Sequence, residues 1–163
     1  MSASTPEATA EHSSRSRPVS GPRERPTNVH LALVGIALLG ALLTALSSFL
    51  DVLEVTTGQT TLDTQTGFET HSVAMLLLGI AAVPMALGAL RGARPAMFAL
   101  AAIGLLVLLV AFTVDLPDAL DEGLYGERYE SAEAGPAIGF YVETVGGMLL
   151  VLAGGLLILR GRD

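Results

Sequence analysis

Cysteine is absent from the 163 residues, which excludes disulfides, thiolate-held zinc, iron–sulfur clusters and thiol catalysis. Tryptophan is absent too, and all nine basic residues are arginine. Charged residues make up only 15% of the chain, against about 25% in an ordinary soluble domain. Clustered positive charge, which phosphate binding needs, is missing: the formal charge is −7 and the isoelectric point near 4.8, so no nucleic-acid partner is expected. Missing as well are a Gly-rich nucleotide loop, a nucleophile beside its base and a HExxH metal pattern. The expectation is of a non-enzymatic chain with no cofactor and no resident metal.

What the chain does have is hydrophobic length. Apolar residues make up 51% of it, with a mean hydropathy of +0.58, and they fall in four blocks at 29–50, 72–90, 95–114 and 138–159. About 20 apolar residues in a helix rising 1.5 Å per residue cross a bilayer core. In lipid each backbone polar group has to be satisfied within the segment, so such blocks are helices. The sequence therefore predicts an all-α integral membrane protein, a four-helix antiparallel bundle over residues 28–160 with the lipid bilayer as its surroundings. Arg91-Gly92-Ala93-Arg94 forces a hairpin between the second and third helices, and Pro95 suits a first helical turn. Residues 1–27, rich in Ser, Thr, Glu, Arg and Pro, read as a disordered tail. The block after it exceeds the apolar region of a cleaved secretory signal and reads as a span.

Arginines set the orientation. If all four blocks span, Arg15, Arg17, Arg23, Arg25, Arg91, Arg94, Arg160 and Arg162 lie on one side and Arg128 alone lies opposite. By the positive-inside rule both termini are cytoplasmic at the cell membrane. Phe49, Phe112, Phe140 and Tyr141 fall near the outer helix ends, where an interfacial aromatic belt is expected.

Two outer loops, 51–71 and 115–137, carry most of the acids. In the first, Gly58-Gln59 suits a type II′ turn that allows residues 52–57 and 60–64 to pair as a small β-hairpin. In the second, Pro117 is expected to break the third helix, and 118–124 or 127–134 offers room for a short surface helix. Glu143, the one acid inside a block, stands in the first two turns of the fourth helix. Two readings compete there: a carboxylate snorkelling to water near a favourable helix N-terminus, or a group that binds an ion, a proton or a partner. Asp51, His71 and Asp115, at outer helix ends, are candidates to converge with it on a cation. The alternative is a solvated acidic face.

Small residues recur at helical spacing, with Gly40 and Thr44 in the first helix and Gly147 and Gly155 in the fourth. They are expected to pack helices closely, within the bundle or against another copy. Pro84 should kink the second helix. The segments SSFLD, ARPA, DLPD and GFYVETVGG around four spans resemble small four-pass membrane proteins of unknown function found in GC-rich bacteria. That resemblance covers about residues 28–160 and implies the same topology; arginine without lysine fits such a composition. The layout also looks like the claudin and tetraspanin arrangement, without the cysteines that mark both. The functional expectation is a structural, accessory or sensing membrane component with a protein partner or as a homo-oligomer. The alternative is a small transporter or channel subunit for a cation or small solute.

Overall fold

A computed structural model describes residues 27–57, 60–71, 73–120 and 132–161. Residues 1–26 of the expected disordered tail, the Gly58-Gln59 turn, and Tyr125, Arg128 and Tyr129 with most of the second loop lie outside the described residues.

Helix α1 (Asn28–Ser47) starts at Thr27, whose side chain accepts a hydrogen bond from the His30 amide at 3.3 Å and so satisfies one of the first free donors. It leads into strands β1 (Asp51–Thr57) and β2 (Thr60–Thr66), an antiparallel pair. A short α2 (Gly67–His71) follows, then α3 (Ala74–Leu90) with Pro84 inside it. Gly92, at φ 78°, turns the chain into α4 (Arg94–Val110), a backbone conformation that glycine adopts without steric cost. A π-helical turn over Ala111–Asp115, the four-residue α5 (Leu116–Ala119), strand β3 (Ala132–Pro136) and α6 (Ile138–Arg160) complete the described chain.

Three helical segments, Asn28–Ser47, Arg94–Ala119 and Ile138–Arg160, are long and apolar enough to cross a membrane. Helix α3, with 17 residues, measures about 26 Å at 1.5 Å per residue, a little less than a bilayer core of about 30 Å. The expectation of four full-length spans thus narrows to three long helices and one shorter apolar helix packed with them. α6 packs along both α1 and α4, and α3 closes the ring against α1 and α4. Neighbours run antiparallel: Gly40 of α1 meets Gly146 of α6, Gly79 of α3 meets Ala41 and Ala45 of α1, and Gly104 and Ala101 of α4 meet Gly147 and Gly154 of α6.

Close approach explains the small residues. A Cβ at Gly40 would stand 2.9 Å from the Gly146 carbonyl oxygen, and one at Gly147 about 3.0 Å from the Val107 side chain. Thr44 is fully buried on the same face of α1. Gly155 departs from the expectation, with nothing within 4 Å of its missing side chain, while Gly154 beside it abuts the Ala101 backbone. Glycines eight residues apart rotate about 80° around a helix at each step, so Gly139, Gly147 and Gly155 cannot share one face. The observed seam runs through Glu143, Gly147, Leu150, Gly154 and Leu157, all buried, at alternating steps of four and three. Away from the seams, large apolar side chains such as Leu42, Leu77, Leu105 and Leu152 face outward, which suits lipid and would be costly in water.

The fold also contains more β-structure than expected. β1 and β2 form the hairpin, but β3 from the second loop pairs antiparallel with the other edge of β1, giving the order β2-β1-β3. The protein is a helical bundle with a three-stranded sheet at one end, hereafter the sheet end; the Arg91–Ala93 connection marks the turn end.

Candidate functional site

Two acids meet at the sheet end. Glu143 lies on the buried seam of α6 and Asp115 at the end of the π-helical turn, and both are 0% exposed. Their carboxyl groups stand within electrostatic and hydrogen-bonding reach of one another. Neither oxygen of Glu143 meets a hydrogen-bond donor among the described residues. Ionised carboxylates are acceptors only, so the contact becomes a hydrogen bond only when a proton sits between them.

Local backbone accounts for both positions. Glu143 follows Phe140 by three residues and precedes Gly147 by four, so it shares the face that α6 turns to its neighbours. The side chain is fully buried in the packed seam, which differs from the snorkelling expectation. Asp115 owes its place to Pro117. In a regular α-helix a proline at 117 clashes with the carbonyl of residue 113 and removes a bond. Helix α4 does not stop there, as the sequence predicts, but widens by one residue over Ala111–Asp115 and continues to Ala119. The buried positions Met97, Leu100, Gly104, Val107 and Ala111 advance by three and four, which would next place Val114 inside. Val114 is instead exposed, and Asp115 and Ala119 are buried. The wide turn has moved the inner face one residue along, and widened turns of this kind recur at functional sites.

A second, smaller core lies beside the acids. Val52 of β1, Ala111 and Phe140 pack together with Leu116 against them, and the Ala137 amide donates to the Val52 carbonyl at 2.9 Å. The sheet is thus tied to the start of α6. Phe140 is buried here and packs edge-to-face on Phe112, so it belongs to this core and not to the exposed aromatic belt, whereas Phe49, Phe112 and Tyr141 are exposed.

Other polar groups are buried at the same end. Thr44, Ser47 and Ser48 close α1, and Ser47 Oγ donates to the Thr44 carbonyl at 2.8 Å. The hydroxyls of Thr44, Ser48 and Thr144 are buried without a partner among the described residues. Thr44 Oγ1 lies over Gly146, one turn along α6 from Glu143. Thr44 was expected only as a small packing residue; its hydroxyl, with those of Ser47 and Ser48, was the signal in the sequence that this face meets a polar end of the core.

Of the four candidate residues, then, the structure joins two. Asp51 is half-buried at the start of β1, where it pairs with Thr66 across the hairpin. It does not complete a cation cage, since the described residues contain no group of three acids or histidines placed to hold a metal. His71 ends α2, and its side chain lies outside what is described. Glu69, also in α2, takes hydrogen bonds from the amide and then the hydroxyl of Thr66, which hold its carboxyl below the ordinary value of 4.5.

The turn end is built differently. His30 Nε2 lies 3.0 Å from the Ala89 carbonyl near the end of α3, and Arg94 Nη2 donates to the Gly161 carbonyl at 2.6 Å, which sets a cation at the C-terminus of α6, where the helix dipole favours it. Between the ends the main core, which includes Val34, Ala37, Ala86, Leu100, Leu150 and Leu157, is apolar. Comparison with protein-family models, curated proteins and solved structures finds no match for this chain, so its reading rests on the residues themselves.

Proposed function

We propose that the chain is a four-pass integral protein of the cell membrane, with both termini cytoplasmic, that serves as a non-enzymatic sensing or accessory component. The sheet end faces outward. Support for this orientation comes from the arginines at the turn end, Arg91, Arg94 and Arg160, which the positive-inside rule assigns to the cytoplasm. The observation that carries the reading is the division of the core. Among the described residues, the buried polar groups lie toward the sheet end, while the core toward the turn end is apolar. Solute pathways are marked by polar or ionisable groups at membrane depth, whereas a group answering to conditions on one face needs them only there.

The cation-transport reading has one observation in its favour, the buried Asp115–Glu143 pair. Purification of the tagged protein from its native host in mild detergent, with mass spectrometry and light scattering, separates the two. A stoichiometric second protein is the expected result and makes the chain an accessory or sensing subunit. A homo-oligomer that carries cation flux in liposomes, abolished by Glu143→Gln, would replace this reading with the transport one.

A further inference from the structure

At the turn end, Arg94, Met97 and Phe98 of α4 and Ile158 of α6 line a shallow groove of about 160 Å³. Met97 is buried, Ile158 half-buried and Phe98 exposed, so apolar surface makes up most of its wall. The remaining residue is a cation held in place: Arg94 Nη2 donates to the Gly161 carbonyl and ties the start of α4 to the end of α6. A guanidinium carries five N–H donors, so that bond leaves others for a second acceptor. Charge here has one sign among the described residues. Arg91, exposed, opens the connection that Arg94 closes, and Arg160, also exposed, precedes Gly161. The described acids, from Asp51 to Glu143, all lie at the sheet end, and none is placed to neutralise the groove.

We infer that the turn end binds one anionic phospholipid, with its phosphate on Arg94 and part of an acyl chain in the groove of Met97, Phe98 and Ile158. Charge and shape select this ligand. A soluble anion leaves the apolar wall unfilled, and a zwitterionic lipid brings an ammonium group toward three arginines. Arginine suits the phosphate because its planar fork can bond two oxygens at once, and basic pockets between membrane helices on the cytoplasmic side hold anionic head groups in this way. Arg91 and Arg160 add general attraction to the lipid surface. With the turn end cytoplasmic, as proposed above, the lipid comes from the inner leaflet; that assignment rests on the orientation, whereas binding itself does not.

Native mass spectrometry of the full chain in mild detergent, titrated with dioleoyl phosphatidylglycerol or with the phosphatidylcholine of the same acyl chains, reads the lipid retained. Expected is one phosphatidylglycerol per chain, bound about tenfold more tightly than phosphatidylcholine or better. Arg94→Gln should weaken it by about tenfold or more, the loss of a charge-assisted hydrogen bond. Arg91→Gln removes the same charge from the same end and should cost no more than about fivefold, the share of one arginine in general surface attraction. Phe98→Ala should weaken binding, and Leu77→Ala, equally exposed but on α3, should not. Equal affinity for the two lipids, or equal losses on Arg94→Gln and Arg91→Gln, would overturn the site. So would displacement by glycerol 3-phosphate at the lipid's own concentration, because the ligand would then be a free anion. If circular dichroism shows that Arg94→Gln does not fold, the contrast between Phe98→Ala and Leu77→Ala decides, and equal effects overturn the groove. Failure here leaves the sensing or accessory reading standing, since that is judged by co-purification and topology.

Discussion

Gly154 and Gly155 are adjacent and chemically identical, yet their surroundings differ completely. A Cβ on Gly154 would stand 2.6 Å from the Ala101 backbone nitrogen, which cannot yield, whereas one on Gly155 would meet nothing within 4 Å. Gly154→Ala is expected to destabilise the bundle by about 1–3 kcal/mol through overpacking. Gly155→Ala should stay within about 1 kcal/mol of the wild type, the range of helix propensity alone. Unfolding by denaturing detergent, followed by circular dichroism, measures both, and equal costs would contradict the packing described. At this scale the sequence showed which residue types matter and not which way they point. Glu143 stood out as the one acid in an apolar block, and its partner Asp115 was named with it. That the two touch, and that Asp51 stays apart, depends on helix rotation, which a one-residue shift at the π-helical turn is enough to change.

Among the elements, the helices were legible because their signal is length: an apolar run near 20 residues has one way to satisfy its backbone in lipid. The hairpin was legible too, since Thr and Val flank a Gly-Gln pair in residues 52–64. Strand β3 was not. Its sequence, AEAGP, has neither β-branched nor aromatic residues, the usual marks of a strand, and it ends in a proline, tolerated there because β3 is an edge strand. Pairing with β1, not local preference, makes it a strand. The register places Thr56 opposite Glu133, and cross-strand neighbours of this kind lie close enough to bridge. In this cysteine-free chain, Thr56→Cys with Glu133→Cys should form an intramolecular disulfide under mild oxidation, seen as a mobility shift reversed by reductant. A pair displaced by one residue, Thr56→Cys with Ala134→Cys, should bridge far less, and equal yields would contradict the register.

For the molecule as a whole, the two ends do different things. At the turn end the His30 ring and the Arg94 guanidinium meet the Ala89 and Gly161 carbonyls, while acids and hydroxyls gather inside the sheet end. The asymmetry gives the bundle a direction, and the proposed sensing or accessory role depends on it. Labelling intact cells with a membrane-impermeant maleimide tests that direction, with no background from native cysteine. Gln65→Cys, exposed on β2, and Arg91→Cys, exposed at the turn, are the two probes. An outward sheet end requires Gln65→Cys to label in intact cells and Arg91→Cys to label only once the membrane is opened. Labelling of Arg91→Cys in intact cells, or protection of Gln65→Cys until lysis, would reverse the molecule and contradict the proposed orientation.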